Sequence, residues 1–367
     1  MTRKRTIVGV MTGTSIDAVD VAAVSVSGSG LDISADQTAF QSFSLEDIAK
    51  DLRAIAGGAA FNPSVIAKVE SDFGELIAES IASLTGSEHV DLAVVHGQTI
   101  YHKPPLTWQL LNPWPIAAKL GIPVLYDLRR ADIALHGQGA PLTPIADAVL
   151  FGHTTKKRAV VNLGGFSNIT LLPKMLELSG AIDQICGFDI CPCNHWLDGV
   201  LRARTDLMFD DQGMIASSGS VIDPLATRLY QKWLGSGQSR RSLGSEDDLL
   251  FELPEDCTAD LLATCCDVIA QLIAHSSKSC DEILCAGGSV RNTYLMSRIR
   301  MHSSVPVVDL RDAGVEPDAR EAAAFAVLGS LCSDSVPIGL PNVTGVSRPI
   351  VSGSWCLPLG PDRLFHA

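Results

Sequence analysis

Short apolar runs bounded by glycine turns alternate along this chain with longer stretches whose apolar residues recur every three or four positions. Residues 6–11 form the first short run, Thr12-Gly13-Thr14-Ser15 a tight turn, and residues 19–26 a returning β-rich run, which together predict a hairpin. The same shape recurs in the second half as residues 159–163, a turn at Gly164-Gly165-Phe166-Ser167-Asn168, and residues 169–172. The hairpins share no sequence identity, so the internal duplication they suggest is one of shape. Asn62-Pro63 predicts a helix start, Val65, Ile66, Val69, Phe73, Leu76, Ile77, Ile81 and Leu84 follow helical spacing, and Gly86 ends the run. Residues 90–95 and 122–126 read as short buried strands. They deliver His96-Gly97-Gln98-Thr99 and then Asp127 and Arg129 to their carboxyl ends, where open α/β sheets bind ligands. Further on, a helix over 261–273 precedes a strand over 282–285, the turn Ala286-Gly287-Gly288-Ser289 and a helix over 292–301. A strand over 305–310 and an alanine-rich helix over 320–331 complete the pattern.

Strand and helix in alternation predict α/β layers. At 367 residues the chain suits two domains, and with no low-complexity linker they are expected to share a broad hinge. Lys and Arg number 28 against 41 Asp and Glu, a net charge of −13, which disfavours nucleic-acid and anionic-membrane partners. A small anionic substrate stays compatible, because one local pocket of donors outweighs a distant field. The basic first residues and the apolar run after them resemble a signal peptide only until Thr12-Gly13-Thr14-Ser15 and Asp17 interrupt. No run of eighteen apolar residues appears, so no bilayer span and a cytoplasmic location are expected. The ten cysteines are scattered with no CxxC pair, and Cys191-Pro192-Cys193 is too tight for zinc spacing, so buried reduced thiols are expected.

Three glycine turns stand beside strands: Gly13, Gly164-Gly165 and Gly287-Gly288. Glycine lets backbone N–H groups approach phosphate oxygens with no Cβ in the way. Together with the duplicated hairpin they resemble the nucleotide cleft of the actin, heat-shock ATPase and sugar-kinase superfamily. The Walker pattern GxxxxGK[ST] is absent, and no GxGxxG opens a helix after the first strand, against a P-loop kinase and a Rossmann dehydrogenase. Asp17 and Asp20 follow the first turn, where a carboxylate near phosphates holds Mg²⁺ through water; alone, Asp17 also reads as a solvated hairpin residue. Asp189, after a short apolar stretch and before a proline-bent turn, is the candidate general base of a reaction loop, with Asn194 and Asp198 as candidate caps of the next helix.

Eight stretches, in order, resemble the anhydro-N-acetylmuramic acid kinase family over nearly the full chain. They are Gly13-Thr14-Ser15-Ile16-Asp17, His96-Gly97-Gln98-Thr99, Asp127-Leu128-Arg129-Arg130-Ala131-Asp132-Ile133-Ala134, Gly137-Gln138-Gly139-Ala140-Pro141-Leu142, Asn162-Leu163-Gly164-Gly165, Gly187-Phe188-Asp189, Glu321-Ala322 and Asn342-Val343-Thr344-Gly345. The resemblance implies two actin-like (RNase H-like) domains with a nucleotide cleft between them, residues 1–128 with 320–367 forming one and 129–319 the other. It implies an ATP- and Mg²⁺-dependent kinase that opens the 1,6-anhydro ring of anhydro-N-acetylmuramic acid by adding water at C1 and phosphorylates O6, as a homodimer. Asp189 falls on the family's base, Gly13, Thr14 and Ser15 on its first phosphate loop, and Gly287 and Gly288 on a turn near the adenosine. Gly164, Gly165, Asp17 and Asp20 join the nucleotide set, and Asp17 is the expected metal residue. His96, Arg129 and Glu321 fall on the sugar pocket; by themselves His96 reads as a satisfied strand-end histidine and Glu321 as a helix first-turn acid.

The chain departs from the family where Asp189 is followed by Ile190, Cys191, Pro192 and Cys193 rather than Thr-Gly-Pro-Gly/Ala. Ala18 and Ala286 replace glycines, and residues 241–246 reduce a Lys-Ser-Thr-Gly-Arg-Glu stretch. Two readings of the cysteines follow: they pack into apolar surroundings such as Trp196, or they narrow the space for sugar or phosphate. The alternatives to the kinase above are a kinase of another anhydrosugar such as levoglucosan and a catalytically weak nucleotide-binding paralogue.

Overall fold

The structure, a computed structural model, describes residues 4–13, 16–45, 47–234 and 254–358. Thr14, Ser15 and the stretch 241–246 lie outside the described residues. The chain divides into two compact units, Met1–Leu150 with Ala319–Ala367, and Phe151–Asp318. Residues 129–150, expected in the second domain, therefore belong to the first. The physical reason is that Arg129 bonds His96, and Asp147 is ion-paired with Arg320, both inside the first unit.

In the first unit the strands are β1 (Arg5–Thr12), β2 (Ala18–Ser27), β3 (Ser34–Ser44), β4 (Leu92–Val95), β5 (Gln98–Lys103), β6 (Leu106–Leu110) and β7 (Val124–Tyr126). The second contains β8 (Arg158–Leu163), β9 (Phe166–Leu172), β10 (Cys186–Pro192), β11 (Glu282–Ala286) and β12 (Val307–Asp309). In the first sheet the order is β7-β4-β1-β2-β3, with Ser354–Cys356 added beside β7 and β5-β6 a separate hairpin. The second sheet runs β10-β9-β8-β11-β12. In both, the first strand of the unit pairs antiparallel with the second and parallel with the fourth, and the second pairs antiparallel with the third. Numbered in chain order within its own sheet, each five-stranded core runs 3-2-1-4-5. The duplication suggested by the two hairpins is thus a duplication of whole sheets.

The sequence pattern accounts for most of these elements. Four residues suffice for β4, Leu-Ala-Val-Val, because it lies between two parallel partners and every one is buried. The helix Pro63–Thr85 begins where the Asn62 side chain accepts the Ser64 N–H at 3.0 Å, and it ends at Gly86, whose φ of 56° favours glycine. Val69, Phe73, Ile77 and Ile81, at every fourth position, bury one stripe against the sheet, and full burial of Phe73 alone contributes about 1.5–3 kcal/mol. The long strand β3 and the β5-β6 hairpin were not expected from the pattern. In Ser34–Ser44 burial alternates by exposure, leaving few apolar residues to mark it.

Helix Thr258–Ser276, at 19 residues, is by length and composition apolar enough to cross a membrane, contrary to the expectation that no such stretch exists. In the second unit it is the buried spine of the core, packed against helices Asn194–Arg204, Asp223–Leu234 and Thr293–His302. All ten cysteines are free thiols; Cys257 is exposed, Cys186 half-buried and the others buried.

The first sheet is covered on the face bearing Val8 and Val10 by Ile48–Ala56 and Pro63–Thr85. Its other face meets Arg320–Ser333 at Gly9, where an added Cβ would stand 1.9 Å from the Ala322 carbonyl oxygen and 2.6 Å from the Ala326 nitrogen. Both neighbours are backbone, so no side chain can swing aside. Gly9→Ala is expected to cost about 1–3 kcal/mol, the usual range for overpacking a filled core. Urea unfolding measures it; a variant as stable as the parent shows that helix and strand separate freely here.

Candidate active site

The first unit gathers its candidate residues at the carboxyl ends of β4 and β7. His96 directly follows β4 and is buried, edge-on to Phe325 with ring centroids 5.1 Å apart. Arg129 Nε donates to His96 Nε2 at 3.0 Å. Since Nε2 accepts, the ring hydrogen sits on Nδ1, which donates to the Gly97 carbonyl at 2.8 Å. Burial, and after it the Arg129 charge, holds the His96 pKa well below the usual histidine range. The ring is neutral with both nitrogens engaged. It therefore orients Arg129 rather than shuttling protons.

Glu321, in the first turn of Arg320–Ser333, completes this group. Burial pushes its carboxyl above the usual range, while Arg320 and Arg129 pull it down. Beside it, Arg320 is 1% exposed and its Nε donates to Asp147 at 3.0 Å, with Nη2 closing a bidentate pair. The structure thus brings together His96, Arg129 and Glu321. It adds a cavity of about 110 Å³ lined in part by Gln109, Tyr126, Asp127 and Arg130. Asp127 has φ 54°, uncommon for a residue with a side chain, and its buried Oδ1 has no hydrogen-bond partner. The strand-end position of Asp127 was legible, but its conformation was not.

The first turn is bent in a similar way. Ile16 has φ 52°, a strained conformation for a β-branched residue, and Arg53 Nη2 holds its carbonyl at 2.6 Å. The Ile16 N–H bonds the Gly13 carbonyl at 3.2 Å. Asp17, next along, is exposed; Asp20 lies three residues further on β2, half-buried, opposite Met11. Among the described residues no three His, Cys, Asp or Glu side chains converge as a metal site. An ion held chiefly by nucleotide phosphates needs only one or two carboxylates, and the accessible Asp17 fits that donor set.

In the second unit Asp189 lies within a strand, not on the loop the sequence suggested. It sits on β10 opposite Asn168 of β9, which in turn stands opposite Asn162 of β8, forming a polar rung across three strands. Asp189 is 8% exposed. The register shifts between Asp189 and Cys191, because Ile190 is an extra residue: Cys191 faces Ser167, whereas Asp189 faces Asn168. Adjacent positions on β9 point to opposite faces, so Asp189 and Cys191 do too. Cys191 and Cys193 are fully buried in the same core cluster as Trp196, and burial pushes the Cys193 thiol up to about 12. The packing reading of these cysteines is the one the structure supports.

Gly164 and Gly165 offer their carbonyls to the N–H groups of Asn194 (3.0 Å), Cys193 (2.9 Å) and His195 (3.1 Å), so the start of helix Asn194–Arg204 is satisfied by backbone. Asn194 begins that helix, and its Oδ1 accepts from Ser289 at 2.5 Å. Asp198 lies inside the helix, not at its cap, and burial pushes its carboxyl up to about 6. Gly287 has φ 88°, and an added Cβ would lie 2.6 Å from Asn162 Oδ1, so the turn is pressed onto the polar rung. At Gly288 a Cβ would meet nothing within 4 Å. Asn162, Asn168 and Ser289 are site neighbours that stand within the turns and stretches noted in the sequence but were given no role there. Asparagines inside apolar strands, where they are disfavoured, were the available signal.

Two units, each built on a 3-2-1-4-5 mixed sheet, place the chain in the RNase H-like, actin-like class of α/β proteins. Residues 5–357 match the family model of anhydro-N-acetylmuramic acid kinase, and the chain belongs to this family. Its relatives include the anhydro-N-acetylmuramic acid kinases of Salinibacter ruber, 33% identical over 97% of each chain, and Synechococcus elongatus, 31% identical over 95% of this chain and 98% of that one. That of Saccharophagus degradans is 32% identical over 96% and 98% respectively.

Cys191→Gly and Cys193→Gly are each expected to lower stability by about 1–2 kcal/mol, from lost burial and added chain freedom. Turnover should change less than threefold. Thermal melts with parallel kinetics test this, and a tenfold gain in kcat/KM in the Ile190→Thr/Cys191→Gly/Cys193→Gly variant would contradict the core placement.

Proposed function

We propose that this chain is an ATP-dependent kinase that opens the 1,6-anhydro ring of anhydro-N-acetylmuramic acid and phosphorylates its O6. The observation that carries the reading is the Asp189 carboxylate, on the family's Gly187-Phe188-Asp189 motif, set in a polar rung beneath the Gly287 turn. Asp189 takes a proton from a water, whose oxygen forms a bond to C1. The C1–O6 bond breaks, and O6 bonds the γ-phosphorus as ADP leaves with its bridging oxygen. The proton on Asp189 then passes to solvent, leaving a C1 hydroxyl and a 6-phosphate.

His96, Arg129 and Glu321 hold the sugar in this reading, the neutral His96 fixing the Arg129 guanidinium by its 3.0 Å bond. Gly13, Thr14, Ser15, Gly164, Gly165, Gly287 and Gly288 are assigned to the nucleotide. Asp17, with Asp20 near it, is assigned to Mg²⁺, which when bound supplies charge neutralisation on the phosphates. The chain is further assigned as a homodimer acting in the cytoplasm, on the strength of the family. The burial of Cys191 on the face opposite Asp189, and of Cys193 in the core cluster with Trp196, weakens the motive for a catalytically weak paralogue.

Asp189→Asn keeps the size of the side chain but not its basicity. Turnover should fall about 10²–10⁴-fold, the usual contribution of a general base, with ATP affinity unmoved. Wild-type turnover in this variant would make Asp189 structural. Gly288→Val has room in the fold, so it tests the turn without unfolding it. Calorimetry should show ATP affinity reduced at least tenfold, about 1.4 kcal/mol. Unchanged affinity would take that turn out of the nucleotide site.

A further inference from the structure

Asp132 is a buried carboxylate that the reaction does not use. It is 0% exposed, on helix Arg130–Ala134, and both of its oxygens are engaged. Oδ1 accepts the Gly139 N–H at 2.7 Å, and Oδ2 accepts the Thr344 hydroxyl at 2.5 Å. Glycines wall it in: a Cβ on Gly137 would stand 2.0 Å from Oδ1, and one on Gly339 2.7 Å from Oδ2. No ligand reaches a group so enclosed. What it holds is nevertheless placed next to the candidate sugar site. Gly139, gripped at its N–H, presents its own carbonyl to Arg129 Nη1 at 2.7 Å, and Arg129 Nε reaches on to His96. The Gln138 N–H bonds the Thr344 carbonyl at 2.8 Å, so Thr344 fixes the same loop twice.

We propose that Asp132 and Thr344 are positioning residues that set the Arg129 guanidinium through the backbone of Gly139. The proposal rests on the reading that Arg129 contacts the sugar. Two fixed acceptors, the Gly139 carbonyl and His96 Nε2, determine the plane of a guanidinium and the direction of its remaining N–H groups. If the Gly139 loop shifts, one acceptor moves and the plane turns. The chain of bonds runs from Thr344 to Asp132, to Gly139, to Arg129 and to His96, joining four separate family stretches and ending on a ring whose tautomer it fixes.

The test compares Thr344→Val, which loses the hydroxyl but keeps the shape, with Thr344→Ser, which keeps the hydroxyl. Asp132→Asn, able to accept from Gly139 and donate to Thr344, is set against Asp132→Ala. In Thr344→Val the KM for anhydro-N-acetylmuramic acid should rise about tenfold, the scale of one lost buried hydrogen bond, with kcat changed less than threefold and ATP affinity unmoved. Thr344→Ser and Asp132→Asn should stay within threefold of the parent KM. A Thr344→Val variant with a lower melting temperature and an unchanged sugar KM overturns the proposal, because the bonds then serve only the fold. A second readout needs no turnover. In ¹⁵N spectra of histidine-labelled protein, the His96 nitrogens should move in Thr344→Val and return in Thr344→Ser. Identical His96 signals in parent and Thr344→Val overturn the relay whatever the kinetics. A parent that phosphorylates no anhydrosugar sinks the proposed function instead, and the His96 signals then decide the relay alone.

Discussion

The first unit depends on the absence of one side chain at Gly9. Strand β1 and helix Arg320–Ser333 meet backbone to backbone there, at a separation that leaves no space for even a methyl group. A glycine of the helix itself, Gly329, makes another close approach, since a Cβ there would stand 2.1 Å from a side-chain methyl of Val94 on β4. Two close approaches along one helix fix both its rotation and its axial position. Everything its first turns carry is placed by that register: Arg320 opposite Asp147, Glu321 near Arg129, and Phe325 against the edge of His96. The Arg320–Asp147 pair is desolvated on both sides, a geometry in which loss of one partner is far more costly than loss of both. A shift of the helix would strand that charge, so the ion pair and the glycine contacts enforce one another.

The second unit uses a different device. A single extra residue in β10 turns Asp189 and Cys191 to opposite faces although they are two apart in sequence, a spacing that in a regular strand puts them on the same face. The bulge therefore lets a strand supply both a polar residue to the Asn162–Asn168 rung and a thiol to the core cluster around Trp196. Cys191 and Cys193 lie in that core, where a thiol behaves as a hydrophobe.

Much of the architecture was legible in the sequence because it depends on local signals. Glycine turns between β-rich runs located both hairpins. Asn62-Pro63 and Gly86 bracketed a helix that the structure places at Pro63–Thr85, and the strand-end positions of His96, Asp127 and Arg129 followed from the apolar runs before them. What went unread depended on partners distant in sequence. Strand β3 is polar by composition and exists because β2 offers it an edge. The boundary of the first unit lies at Leu150 rather than 128, because Arg129 and Asp147 are bonded to residues far along the chain.

Residue identity and order alone determined the α/β class, the duplicated shape, the family and the aspartate on which a base is expected. These follow from backbone propensities and short spacings, which act over a few residues. Tertiary structure decided which way each of those residues faces and what holds it. Asp189 became a strand residue on a polar rung, His96 a neutral acceptor for Arg129, and Asp132 a buried anchor 212 positions from the threonine that bonds it. No local pattern encodes such pairings. They arise only when the sheet and the returning helix bring remote segments within hydrogen-bonding distance, and burial then makes an unmet polar group too costly to keep.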